Sequence, residues 1–289
     1  MESVHVSKFE DVSARLILRN RVHCVAYALM RPLVLSSAAF LLSWANLFAA
    51  EVQLGPPKPG ATQTPRPPSS PAPVALPQYR PALLGTGPLS VINRIDSQGL
   101  INKGQKDATV MFRCSVSRTG EIVNSWVYRA TPESNALQQD LLFCLDTAVF
   151  VPAVFNHQTV PVLFFGTASF KVLDGKPRLR IFANQEAEEL KKENDFVGPQ
   201  PFVGRDSKFQ GLHYPDDVLT TALSGLVELS LKIDADGNLK DLKLVSEYPP
   251  LAGFARAAEE DFRVARFIPA FRDGKPVDCS ITLPVYYEP

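Results

Sequence analysis

Two stretches of the chain alternate as half-buried strands do. Val227, Leu229, Leu231 and Ile233 alternate with Glu228, Ser230 and Lys232, and Ile281, Leu283 and Val285 repeat the pattern near the C-terminus. Successive strand side chains point to opposite sheet faces, so each stretch presents one apolar face and one polar face. Asp234-Ala235-Asp236-Gly237 predicts a hairpin after the first stretch, with glycine supplying the positive φ of the turn. Leu239, Leu242 and Leu244 continue on a second strand, whose uneven spacing marks a bulge, and Tyr248-Pro249-Pro250 ends it. Phe254, Ala257, Ala258, Phe262 and Ala265 recur at helical spacing and predict an amphipathic helix over 252–266. Asp273-Gly274-Lys275-Pro276 reads as a turn, and Tyr214-Pro215 leads into a short helix over 216–223.

The same pattern occurs earlier in the chain. A shift of 117 residues lays Val110–Val116 on Val227–Ile233, Gly120 on Gly237 and Pro132 on Pro249. It also lays Ala148 on Ala265, Phe150-Val151-Pro152-Ala153 on Phe267-Ile268-Pro269-Ala270, and Val160 on Val277. The first copy therefore predicts strands over 109–117, 121–130 and 161–171 and a helix over 134–147. Between the copies, 184–194 carries Glu186, Glu188, Glu189, Lys191 and Lys192 and reads as a charged surface helix. The expected fold class is α+β: two tandem domains, each a small antiparallel three-stranded sheet with helices on one face.

Upstream the pattern changes. From Pro32 to Ala50 no residue is charged, close to the ~20 apolar residues that cross a bilayer. Residues 31–50 are thus a membrane anchor or the apolar part of a cleaved signal peptide, for which Ser43-Trp44-Ala45 offers a small-x-small site. Arg15, Arg19, Arg21 and Arg31 ahead of the run keep that end in the cytoplasm. Residues 1–30 form a long leader of mixed charge, and Met30-Arg31, directly before the run, reads as an alternative start. Ten prolines lie between Gly55 and Pro81. Proline lacks a backbone donor, so 51–83 reads as a polyproline spacer of ~3.1 Å per residue, roughly 80 Å in reach. The folded regions expected are 84–183 and 200–289, joined by a charged helical linker over 184–199.

Composition narrows the function classes. The 289 residues balance 30 Lys+Arg against 30 Asp+Glu, without the basic footprint of a nucleic-acid binder, and 45% are hydrophobic, enough for a core. Four histidines are scattered without ligand spacing, and no nucleophile elbow, phosphate loop or dinucleotide fingerprint occurs, so neither metal, cofactor nor enzymatic activity is expected. Cys114 shares a strand face with Val110, Phe112 and Val116, and Cys144 shares a helix face with Leu137, Leu141 and Leu145. The two faces pack together, which leaves either a disulfide, permitted in an exported protein, or two buried thiols acting as small hydrophobes.

The second copy resembles the TonB C-terminal domain family. The resemblance is carried by Tyr214-Pro215, Gly225, Asp236-Gly237, Ala257-Ala258, Phe267-Ile268-Pro269-Ala270, Asp273-Gly274-Lys275-Pro276-Val277 and Leu283-Pro284-Val285. The first copy looks like a diverged version that keeps Gly120 and Phe150–Ala153 but has Asn156-His157-Gln158 at the turn. The resemblance implies a periplasmic protein held in the inner membrane through residues 32–50, or exported after cleavage. Such proteins sit beside a proton-driven motor and engage outer-membrane transporters or other envelope proteins. Contact is expected by strand addition, at an edge formed by Ser280, Ile281, Thr282, Leu283, Pro284, Val285 and Tyr286. Pro284 has no amide to give, which suits an edge strand. Three features depart from the family. The apolar run has Ser36, Ser37 and Ser43 but no histidine, the spacer lacks alternating Glu-Pro and Lys-Pro, and the domain occurs twice. They leave open an uncoupled periplasmic or secreted scaffold that binds proteins.

Overall fold

The alternating residues 227–233 form the central strand of a sheet. A computed structural model describes residues 75–289; the leader, the apolar run and the spacer up to residue 74 lie outside the described residues. The strands are β1 (Tyr79–Arg80), β2 (Ala108–Val116), β3 (Ile122–Ala130), β4 (Ala153–Phe155), β5 (Gln158–Val160), β6 (Val162–Leu173) and β7 (Lys176–Phe182). They continue as β8 (Gln200–Pro201), β9 (Gly225–Ile233), β10 (Leu239–Tyr248), β11 (Phe267–Ile268), β12 (Ala270–Arg272), β13 (Lys275–Val277) and β14 (Cys279–Tyr287). The helices are α1 (Val91–Arg94), α2 (Ser97–Asn102), α3 (Asn135–Leu145), α4 (Ala187–Lys192) and α5 (Phe254–Arg263), with a 3-10 turn over Asp216–Thr221. The first half is built on an antiparallel sheet of order β3-β2-β6-β7 and the second on one of order β10-β9-β14.

Apolar periodicity sets both cores. Val227, Leu229, Leu231 and Ile233 of β9 join Ile281, Leu283 and Val285 of β14 under Phe254, Ala257, Ala258 and Phe262 of α5. Val110, Phe112, Cys114 and Val116 of β2 meet Leu137, Leu141 and Leu145 of α3 in the same way. The cores interlock: Phe202 and Ile268 pack in the first, Tyr128 and Phe165 in the second.

Elements recur at the spacing read from the sequence. β2 begins at Ala108 and β9 at Gly225, 117 residues later; β4 and β12, β5 and β13, and β6 and β14 begin at the same spacing. Both outer strands carry bulges at matching places, Val123 and Tyr128 in β3, Lys240 and Val245 in β10. In both halves the turn glycine is pinned by one contact. Gly120 (φ 90°) accepts from the Phe150 amide at 2.8 Å, and Gly237 (φ 78°) accepts from the Phe267 amide at 3.0 Å. A Cβ on Gly237 would lie 1.9 Å from the Phe267 carbonyl oxygen, and one on Gly120 would lie 2.0 Å from that of Phe150.

Four expectations need correction. The first sheet has a fourth strand, because Leu179 and Ile181 alternate with Arg178 and Arg180, and Asp174-Gly175 turns β7 back onto β6. Residues 77–83, read as the end of the spacer, are folded: Tyr79–Arg80 pairs with β4, and buried Ala82 exchanges two hydrogen bonds with the Gln200 side chain. Prolines 77 and 81 leave the amides between them free to pair. The charged helix over 184–194 is confined to Ala187–Lys192 because Glu193 takes a left-handed φ of 52°. Finally, Cys114 and Cys144 share the first core as free thiols, so no disulfide joins them. Burial pushes both thiols up, that of Cys114 far above the ordinary range.

Gly237→Ala is expected to cost about 3 kcal/mol or more, since positive φ and the carbonyl contact add. Gly274→Ala, at φ 71° with nothing within 4 Å, is expected to cost about 1 kcal/mol. Urea midpoints of the two variants check this; equal losses would remove the carbonyl contact as the cause.

Candidate functional site

β14 pairs with β9 on one side only and so forms an edge of its sheet. The register sets Thr282 opposite Ser230 and Pro284 opposite Glu228. Antiparallel partners alternate between pairs that exchange both backbone bonds and pairs that face away from each other. Thr282 is of the second kind, because its amide and carbonyl are both taken up away from β9. Pro284, two residues on, has the same parity, so its missing amide removes no bond from the ladder. The expected edge thus lies at the margin of the sheet. Ile281, Leu283 and Val285 point into the core, Ser280 and Thr282 are exposed, and Pro284 is buried.

This edge is not bare. The Gln185 side chain donates from Nε2 to the Thr282 carbonyl at 3.1 Å, and Glu186 Oε1 accepts the Thr282 amide at 2.6 Å. One donor and one acceptor do for Thr282 what a residue of a neighbouring strand would do. Burial pushes the Glu186 carboxyl up, partly offset by the Thr282 amide. Nothing in the charged pattern of 184–194 pointed to this contact; two adjacent long polar side chains beside a strand edge were the only available signal.

Glu189 of α4 secures the covering segment to β12. Arg272 donates to both its carboxylate oxygens, at 3.1 and 2.8 Å, and Asn194 donates to Oε2 at 2.9 Å. These bonds from Arg272 first, and from Asn194, hold the Glu189 carboxyl down to about 2. The Asp273 amide donates to Asp195, and the Arg272 guanidinium lies 5.0 Å from the centre of the buried Phe196 ring.

The residues that carry the resemblance are dispersed over the second half and act as structural fixtures. Tyr214 packs edge-on against Phe254 and donates its hydroxyl to the Leu223 carbonyl. Pro215 caps the 3-10 turn, and a Cβ on Gly225 would meet the Phe254 ring at 2.4 Å. Phe267 is fully buried, Pro269 links β11 to β12, and Ala270 is buried at the head of β12. Asp273 and Gly274 both take positive φ, the form of a two-residue hairpin between Arg272 and Lys275-Pro276. Asp234 accepts from the Asp236 and Asn238 amides and from Lys240 Nζ at 2.8 Å. Burial opposes ionisation there, yet these bonds prevail and hold the carboxyl well below the usual range. Among the described residues no group of three or more His, Cys, Asp and Glu is placed to hold a metal ion.

The Glu189–Arg272 pair sets an acid response. The folded-state pKa lies below the unfolded one, so the contribution is present above about pH 4.5 and is lost as pH falls toward about 2. Thermal unfolding of wild type and Glu189→Gln between pH 7 and 3 checks the sign: wild type is the more stable at neutral pH, and the gap closes on acidification.

Residues 210–289 match the family model described as the Gram-negative bacterial TonB protein C-terminal. The comparison with curated proteins gives no match. The matched range holds the 3-10 turn, α5 and the whole β10-β9-β14 sheet, a mixed α and β region with antiparallel pairing.

Proposed function

We propose that this chain is a TonB-like protein of the cell envelope that works by binding, not catalysis. Its second half, residues 200–289, takes up an extended segment of a partner along β14. The observation that carries the reading is the placement of β14: it ends the matched family range and lies at the sheet margin, with Pro284 set where no ladder bond is needed. An exposed edge offers backbone donors and acceptors to a peptide of any composition, and the flanking side chains select among peptides. Residues 84–183 are read as a diverged copy of the same domain, supported by the common spacing, the paired bulges and the two glycine–carbonyl contacts. Residues 184–199 join the two. The expected partners are outer-membrane transporters or other envelope proteins.

Residues 32–50 supply the tether in this reading, beside a proton-driven motor of the inner membrane. Among the described residues no helix is long and apolar enough to cross a membrane. The lack of a histidine in that run favours a second reading, an exported scaffold without motor coupling. Mature protein that begins near Glu51 and washes free of membranes would select it.

Full-length chain carrying a photo-crosslinking side chain at Ser280 is expected to capture an outer-membrane transporter in a Gram-negative host. Thr282→Pro is expected to abolish capture while leaving the sheet folded, because the Thr282 amide makes no bond to β9. Undiminished capture by a folded Thr282→Pro chain would overturn strand addition at β14.

A further inference from the structure

Residues 184–197 leave β7 and return to β8 as a closed loop. The Gly198 amide donates to the Ala183 carbonyl at 2.9 Å, so the ends of the loop meet, as in an Ω-loop. Its roots are firm. Asn184 is buried and donates to the Phe196 carbonyl at 2.9 Å, while Thr167 of β6 donates to the Asn184 carbonyl at 2.8 Å. Its body is not. No residue of α4 is buried, and Phe196 is the one apolar side chain the loop sinks into the fold. At its C-terminal root Val197 exchanges two backbone bonds with Phe271 of β12, and the grip along its body is polar or ionic: Glu189 with Arg272, Asp195 with the Asp273 amide, and Glu193 with Arg178 and Arg180. A segment with few buried apolar contacts opens locally without unfolding the sheets beside it.

The same side of the first sheet is closed in another way. β7 lies against β6 from Thr167 to Leu173, an unbroken ladder continuous with the chain. On β14 the loop reaches one residue, Thr282, through two side chains. A cover meant to be permanent is built like β7. One that meets a single residue through side-chain tips can be replaced by a backbone making the same two bonds and more on either side.

We infer that loop 184–197 is an autoinhibitory latch: Gln185 and Glu186 occupy the Thr282 position of the β14 edge, and a partner strand adds there once they release it. This rests on the reading of β14 as the binding edge. It adds that the resting chain is closed and that affinity is set by the latch as well as by the partner.

The test uses the full chain and a synthetic peptide of residues 175–184, the segment that contains β7, because β7 occupies the corresponding side of the first sheet. Two readouts are taken, amide hydrogen exchange at Thr282 and calorimetric titration of the peptide. In the double variant Gln185→Ala with Glu186→Ala, Thr282 is expected to exchange at least tenfold faster. The peptide is expected to bind about thirtyfold more tightly than to wild type, as the loss of two competing hydrogen bonds implies. Glu186→Gln keeps an acceptor oxygen for the Thr282 amide and is expected to behave as wild type in both readouts. If the double variant does not fold, the single variants Gln185→Ala and Glu186→Ala serve, each with about a fivefold gain. Equal peptide affinity for wild type and variant overturns the latch and leaves the edge reading standing. Unchanged exchange at Thr282 also overturns the latch. Fast exchange with no peptide bound to the variant overturns the edge reading, and the latch as a gate with it.

Discussion

The outer strand of a sheet carries backbone donors and acceptors that its neighbour does not reach, and this fold is organised around how those groups are met. β6 is met by β7. β4 is met by β1, and β11 by β8, through short incoming segments, and the single bridges Val197–Phe271 and Leu83–Val151 stand at the corresponding places in the other half. β14 is met by two side chains at Thr282 and by a proline that needs no partner at position 284. The outer groups are answered by a hairpin partner at β6 and by distant backbone segments at β4 and β11. At Thr282 of β14 side chains substitute.

Much of this was legible in the sequence, and the limits have physical reasons. Val227–Ile233 and Ile281–Val285 announce their strands because one face is buried and the other wet, which writes a period of two into the residues. The glycines at 120 and 237 were visible as a match, but their cause is tertiary: a backbone carbonyl thirty residues on leaves no room for a Cβ. β7 escaped notice although Arg178 and Arg180 alternate with Leu179 and Ile181, because Pro177 and the basic residues mimic a surface connection. The spacer boundary was hidden in the same way: prolines dominate the composition, while Tyr79, Arg80 and Ala82 between them supply the pairing. The covering of Thr282 was beyond reach, since it joins residues 96 and 97 apart in sequence.

The seam between the halves combines apolar and polar contacts. Met111 and Phe165 pack into the second core, while Trp126 Nε1 donates to the Glu288 carboxylate and Arg129 meets Glu228 at 2.6 Å. Burial lowers the Arg113 guanidinium to about 10, an unusual cost for an arginine. The hydroxyls of Tyr128 and Tyr287 and the Nε of Arg113 are buried without a hydrogen-bond partner in the protein. Each such group carries a desolvation cost of about 1–3 kcal/mol that a purely apolar seam would not carry. The halves are therefore held in register by a contact whose polar part gives back some of what its apolar part supplies.

The path of the chain links the two edges. β7 ends at Phe182, and three residues later Gln185 is already bonded to Thr282. Asn184 stands between them, buried, its carbonyl held by Thr167 of the first sheet and its side chain reaching both the Phe196 carbonyl and the Glu186 amide. The pairing that completes the first sheet thus fixes the point from which the second edge is reached. Loss of β7 from β6 would move that point, and with it the cover on β14. Closure of one half and the cover on the other are consequences of a single stretch of backbone, so a substitution in β7 alters the β14 edge without touching its residues.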